Sequence, residues 1–360
     1  MKKSLIVCAA ILATGYVCAQ DSTKHNPLTI GGYVEAYYSY DFNRPANNNK
    51  SYFLYSHNRN NEVNLNLGFV KAAYNMDKVR ANLSLAVGSY INANYAAEPG
   101  VLRNIYEANA GVKISKTGNL WIDAGIFPSH IGFESAISKD CWTLTRSIPA
   151  ENSPYFESGA KMSYTSNNDK WFLSAMYLNG WQRITRVNGN TTPAFGTQVT
   201  YKPSDKVALN YSTFIGNDKP DSIKQMRYFH NFYGIFQVSK QLGIIAGFDY
   251  GMEQKAKGSS RMNNWYSPVV MLRINADDKN ALAIRGEYYS DANGVIVASG
   301  TANGFKTFGW SINYDRLIAG NAVWRTEYRI LKGQDKYFAR ADNSLTGVNG
   351  FITTSLAVNL

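Results

Sequence analysis

AVWRTEYRIL (residues 322–331) carries two messages on alternate residues. Trp324, Tyr328 and Ile330 fall on one side of a period-two pattern, and Arg325, Glu327 and Arg329 on the other. A period of two is the signature of a β-strand with unlike faces. Three charges in a row would be costly in the dry core of a β-sandwich, so this row is expected to meet water. The apolar row must then face something other than a core. The same division recurs along the chain. VNLNLGF (63–69) sets Val63, Leu65, Leu67 and Phe69 against Asn64 and Asn66, and VRANLSLAVG (79–88) sets apolar residues against Arg80, Asn82 and Ser84. LWIDAGI (120–126) opposes Trp121 and Asp123 to aliphatics, and ALAIRGEYY (281–289) opposes Arg285 and Glu287 to Leu282, Ile284 and Tyr288.

The spacing between such stretches is regular. Short connections rich in Asn, Asp, Gly, Ser and Lys fall near 75–78, 116–119, 167–170, 203–206, 239–241, 275–279 and 315–321, as tight turns require. Longer ones fall at roughly 43–60, 91–103, 128–157, 181–194, 217–228, 252–263, 291–303 and 334–349. Short and long connections alternate and join about sixteen strands, the pattern of a transmembrane antiparallel β-barrel. The final strand, GFITTSLAVNL (350–360), also alternates and ends on the apolar Leu360. The fold class is therefore all-β, a barrel occupying 20–360 as a single domain. A secreted, water-soluble all-β protein is the competing reading; it should carry its apolar faces inward and less regular turns.

Composition fits a barrel. Tyr occurs 25 times, Gly 29 and Pro 10, mean hydropathy is negative, and no run of eighteen apolar residues follows the leader. Residues 1–19 read as a Sec signal peptide: Lys2 and Lys3, an apolar stretch over 6–17, and small residues before a cut after Ala19. Cys18 opens a lipoprotein alternative, disfavoured by the bulk of Val17. Loss of Lys2 and Lys3 lowers the net charge from +11 to +9. Cys8 and Cys18 leave with the leader, so Cys141 remains alone and no internal disulfide forms.

The segment 128–157 breaks the alternation for about thirty residues, a length that is uncommon without a role. It is the third and longest of the external loops, placed after the fifth strand. A sixteen-stranded barrel is too wide for its side chains to fill, and such a loop is expected to fold into the lumen and constrict it; a surface lid over the rim is the alternative. Glu134, Lys139, Asp140, Arg146, Glu151 and Glu157 are the constriction candidates, with Ile131, Phe133, Ile137, Trp142 and Leu144 available to pack on the wall. Ser138 is expected to cap a short helix. Arg146 is expected to pair with a carboxylate or to stay free as a selectivity charge.

The run WIDAGIFPSHIGFESAISKDCWTLTRSIPAENSPYFESGAKMSY (121–164), followed by FLSAMYLNGWQRI (172–184), resembles the putative beta-barrel porin-2 family of outer-membrane proteins of Bacteroidetes-type bacteria. Gly125, Phe127, Gly132, Glu134, Thr145, Arg146, Ser147, Pro154, Gly159, Gly180 and Trp181 carry the resemblance. It implies a porin in the outer membrane of a Gram-negative bacterium, passing small hydrophilic solutes by passive diffusion, without naming a solute.

On the barrel reading, the polar faces line the lumen. Its positive candidates are Arg80, Lys113, Lys161, Lys202, Arg273, Arg285, Arg325 and Arg329; its negative ones are Glu35, Glu107, Asp123, Asp249, Glu287 and Glu327. With a mature charge of +9, a weak anion preference is expected, although basic loops facing lipopolysaccharide would account for the charge as well. Tyr37, Tyr40, Tyr74, Tyr90, Tyr164, Tyr201, Tyr250, Tyr266 and Tyr314 are expected in interfacial girdles, as are Trp181 and Trp265, with carbohydrate stacking as the alternative. His25, His57, His130 and His230 show no metal-ligand spacing, and no phosphate cradle or nucleophile elbow occurs. No enzyme activity, metal, cofactor or nucleic acid is expected. The expected partners are outer-membrane lipid and lipopolysaccharide, the barrel-insertion machinery and small hydrophilic solutes, with a homotrimer left open. Two further functions stay open: a surface binding or adhesion barrel with a closed lumen, and a channel specific for a sugar or peptide.

Overall fold

The computed structural model describes residues 26–360, so the leader, with its cut after Ala19, lies outside the described residues. The strands are β1 (Leu28–Asp41), β2 (Val63–Asn75), β3 (Val79–Val87), β4 (Ile105–Lys113), β5 (Asn119–Pro128), β6 (Phe156–Thr165), β7 (Trp171–Leu178), β8 (Ala194–Ser204) and β9 (Val207–Gly216). They continue as β10 (Arg227–Gln237), β11 (Leu242–Gln254), β12 (Met262–Asn275), β13 (Asn280–Asp291), β14 (Phe305–Ala319), β15 (Ala322–Gly333), β16 (Phe338–Ala339), β17 (Leu345–Thr346) and β18 (Val348–Asn359). Sixteen of them, all but β16 and β17, form one closed barrel in which every neighbour is antiparallel and β1 closes against β18. β16 and β17 make a small hairpin in the last long connection. The Leu360 carbonyl and amide bond to Gly32 at 3.3 and 2.8 Å, extending the closing ladder to the last residue.

Every strand is two-faced. On β12, Tyr266, Pro268, Val270, Leu272 and Ile274 are exposed while Trp265, Ser267, Val269 and Met271 are buried. On β15, Trp324 is exposed and Arg325, Glu327 and Arg329 are buried. Both strands turn apolar residues outward, the arrangement of a barrel in lipid and the reverse of a soluble sandwich, while the inner face is charged on β15 and largely apolar on β12. Pro268 lacks an N–H and sits where the β12–β13 pairing is interrupted. The neighbouring Ser267 hydroxyl donates to the Tyr288 carbonyl at 2.6 Å across that gap.

The tyrosine expectation holds in part. Tyr40, Tyr74, Tyr164, Tyr201, Tyr250, Tyr266 and Tyr314 share the outward face, with Tyr201 stacked on Trp171 at 4.2 Å. Tyr37, Tyr90 and Trp265 do not belong to the girdle, because all three are buried inside. Tyr37 has the same strand parity as the buried Glu35, and Tyr90 sits in the short helix α1 (Ser89–Asn94) of the second long connection. Trp181 packs inside too, edge-on against Phe214 and Phe229.

The third long connection leaves and re-enters the wall at a glycine pair. Gly125 and Gly159 are register partners with φ of 127° and 156°. A Cβ on Gly125 would lie 2.2 Å from the Ala108 carbonyl oxygen, so only glycine fits.

Candidate functional site

The segment 129–155, between β5 and β6, is almost wholly buried although it has no sheet to belong to. Its own chemistry folds it. Arg146 donates from Nε to the Ser135 carbonyl at 2.5 Å, from Nη1 to the Leu144 carbonyl at 2.6 Å and from Nη2 to the Ala136 carbonyl at 3.0 Å. The expected choice between carboxylate partner and free charge is thus corrected: backbone carbonyls cage the guanidinium, and no carboxylate pairs with it among the described residues. A planar donor fork suits such a cage. Ser147 caps α2 (Ile148–Glu151), its hydroxyl accepting from the Ala150 amide. Ser138 opens a single 3₁₀ turn and caps nothing; its hydroxyl goes to Glu35 and Tyr33 of β1. Glu134 accepts from the Ser147 amide and hydroxyl, and burial raises its carboxyl above the ordinary range despite Arg285. Cys141 is buried, with its thiol pushed up to about 11 by burial, so it is a packing residue and not a reactive one.

From there the segment reaches across to distant strands. Arg325 donates to the Ser138 and Cys141 carbonyls, and Arg329 to the Arg146 carbonyl at 2.8 Å. Arg285 donates to the Thr145 carbonyl at 2.6 Å and the Thr143 hydroxyl at 2.7 Å. In the opposite sense, the Thr145 amide donates to Glu327, the Ile148 amide to Glu287 and the Leu144 amide to Asn313. On β9 and β10, Ser212 donates to the His130 carbonyl and Asn231 accepts from the Gly132 amide. Trp142 packs in an apolar cluster with Ile245, Val269, Met271 and Ala283.

The Arg-Glu-Arg row of β15 is therefore not a wet surface. Arg325, Glu327 and Arg329 are each 1% exposed and Arg285 is fully buried. Their charges are matched locally: Arg285–Glu327 2.9 Å, Arg329–Glu287 2.6 Å and Arg325–Asp315 2.6 Å, with Arg273–Asp315 at 3.0 Å. Buried ions persist when paired and hydrogen-bonded, and here the loop backbone supplies what the carboxylates leave open. Glu157, expected in the loop, belongs to the start of β6 and lies 2.9 Å from His130. Lys139 and Asp140 are half-buried.

The first long connection, 42–62, joins this assembly, which the sequence reading did not foresee. Phe53 and Leu54 are buried, the Asn152 amide donates to the Phe53 carbonyl, and His57 lies 3.1 Å from Glu35. The Tyr55 and Ser56 amides donate to Glu151 at 3.0 and 3.2 Å. Burial pushes the Glu151 carboxyl up to about 7, against those hydrogen bonds and Arg146. A folded pKa above the unfolded value of 4.5 means that protonation favours this docking. The contribution is full below about 4.5, shrinks toward about 7 and is gone above it. Protection of the Tyr55 and Ser56 amides from hydrogen exchange, corrected for intrinsic rate, is expected to fall as pH rises from about 5 to about 8. Glu151→Gln should flatten that fall. His57, held below its ordinary value by burial, and Lys50, pushed down to about 7 by burial, act in the opposite sense and remain in the variant. The difference between the two proteins isolates Glu151; identical profiles would refute the assignment.

The wall of β2–β6 is different. Arg80 forks onto Asp123 at 2.7 and 2.5 Å, Lys71 meets Glu107 at 2.6 Å, and Lys161 lies over the Phe127 ring. The side chains of Arg80 and Lys71 are 29% and 34% exposed, against none for Arg285. Lys113 and Lys202 are half-exposed without an ion pair among the described residues, and Asp249 accepts from Asn231. Lys71, Asp315 and the trio Arg227, Asp218 and Glu253 were missed by the sequence reading. Lys71 shares the parity of Phe69, which had been assigned outward; the parity changes within β2.

The fold is similar to known porins. It matches the anion-selective porin from Comamonas acidovorans with TM-score 0.60 and 7% identity, covering 92% of this chain and 99% of that one. OmpT of Vibrio cholerae matches with TM-score 0.61 and 11% identity, covering 94% and 99%. Salmonella typhi OmpF, in complex with daunomycin, matches with TM-score 0.57 and 10% identity, covering 92% and 97%. No curated relative matches the sequence. With the family described as putative beta-barrel porin-2, OmpL-like, the match runs from residue 27 to residue 360, and the chain belongs to that family.

Proposed function

We propose that this outer-membrane porin passes small hydrophilic solutes by passive diffusion, and that the segment 129–155 crosses its lumen and sets the bore. One observation carries the reading. A connection anchored between β5 and β6 bonds through its backbone to side chains of β9, β10 and β13–β15, and through the Ser138 hydroxyl to β1, strands spread around the rest of the barrel. A loop lying over the rim would not meet their inward side chains in mid-strand. The passage then runs beside β2–β6, where Arg80, Lys71 and Lys161 stay within reach of water. Glu134, Arg146 and Glu151 act as structural members of the constriction, and Arg285, Arg325 and Arg329 anchor it. The leader 1–19 directs export, and the insertion machinery and lipopolysaccharide are the partners expected of an outer-membrane barrel. A homotrimer is part of the proposal, since the similar OmpT of Vibrio cholerae is known in a trimer form.

A second reading, a barrel with a closed lumen that binds partners by its loops, draws on Phe53, which reaches Phe305 and Phe338 across the mouth. Planar bilayers separate the two. Discrete ohmic steps are expected from purified protein, with a reversal potential in a salt gradient on the side of anions, given the mature charge of +9, which is +11 less Lys2 and Lys3. Silent bilayers favour the closed scaffold, and a cation preference refutes the selectivity.

A further inference from the structure

At the end of the barrel that carries the long connections, a cavity of about 430 Å³ lies between the first connection, the end of β1, the start of β18 and the β16–β17 hairpin. It adjoins a second hollow of about 350 Å³, with which it shares Asn49, Asn58 and Ala93. The size falls in the range of small-molecule sites.

Its chemistry is selective. Asn349, 1% exposed, donates from Nδ2 to Asp41 at 2.7 Å, but its Oδ1 has no hydrogen-bond partner among the described residues. The Oδ1 of Asn58, also on the cavity wall, is likewise buried and unpartnered. A buried acceptor left unmatched is costly, and a hydroxyl that reached either oxygen from the cavity would relieve that cost. The charges nearby are already engaged. Lys50 donates to Thr353 at 3.0 Å and lies over the Phe351 ring at 4.1 Å, while Asp41 accepts from Asn43 and Asn349. Arg59, on the wall of the second hollow, forks onto Glu62 at 2.8 and 3.1 Å. No net charge is left to attract an ion. Tyr52, half exposed at the rim, offers a ring face. Amide acceptors, engaged charges and an exposed aromatic ring together match a neutral molecule with many hydroxyls and flat C–H faces.

We propose that this cavity binds a neutral saccharide. Its place in permeation, as a first stop before the passage, rests on the channel reading above; binding itself does not. Purified protein in detergent is titrated with maltotriose and with N,N′-diacetylchitobiose by calorimetry, and the same sugars are added to bilayers from the loop side. At least one sugar should bind saturably and interrupt the current over the same concentration range. Asn58→Leu and Tyr52→Ala should each weaken binding about tenfold while leaving salt conductance unchanged. A trigalacturonate of similar size, carrying three carboxylates, should bind more weakly. Absence of saturable binding by both sugars overturns the proposal, as does equal affinity in both variants or a preference for the trigalacturonate. Binding without conductance would instead sink the channel reading and leave this site standing.

Discussion

Deleting residues 135–150 should raise the single-channel conductance roughly twofold or more and strengthen anion preference. Pro128 and Phe156 are register partners, so the residues left on either side can close the connection without moving the strands. The deletion removes the carbonyls of Ser135, Ser138, Cys141 and Arg146 and with them the material proposed to cross the lumen. It also uncovers the row beneath. Arg273, Arg285, Arg325 and Arg329 would face water with Asp315, Glu287 and Glu327 beside them on the strands, four cations against three anions, while Glu134, 4.0 Å from Arg285, loses the segment that holds it there. Wider passage and an added positive field are then expected together. Single-channel recording and reversal potentials measure both; steps of unchanged size would show that the segment does not lie in the path.

Arg285→Ala is expected to destabilise the barrel by about 3–5 kcal/mol. The side chain is fully buried, lies 3.2 Å from Glu287 and 2.9 Å from Glu327, and holds Thr143 and Thr145 of the segment. Its loss leaves Glu327 a buried carboxylate with no cation as near as 2.9 Å. Arg80→Ala is the matched control, because Arg80 also forks onto a carboxylate but is partly open to water. Its cost should be smaller, about 1–2 kcal/mol, because water can enter where Arg80 stood although Asp123 itself is buried. The denaturant midpoint of the detergent-solubilised barrel reads the difference, and equal losses in the two variants would contradict the burial of the Arg285 cluster.

The strands were legible because AVWRTEYRIL and its counterparts state the parity of each strand outright, and because turn chemistry is local. The misreadings have separate origins. Whether Arg325, Glu327 and Arg329 meet water depends on a segment far away in sequence, such as Thr145, whose amide reaches Glu327; nothing within β15 encodes that. Tyr37 was placed outward while Glu35 was placed inward, and strict alternation already forbids the combination. The role of 42–62 was hidden for a different reason. It has no period, and its course is set by left-handed residues at Arg44, Asn48, His57 and Asn61, three of them types that tolerate that conformation, and by a handful of distant acceptors.

The cage around Arg146 has one more consequence, for how the gene can drift. Its three acceptors are main-chain oxygens at 135, 136 and 144, which every amino acid supplies alike. Codons at those positions are free, as far as this cage is concerned, to wander among residues of suitable size, whereas position 146 admits only the codons for arginine, since no other side chain forks in three directions from one plane. Of all the positions that hold this segment, 146 is thus the one where drift is least tolerated by the cage itself.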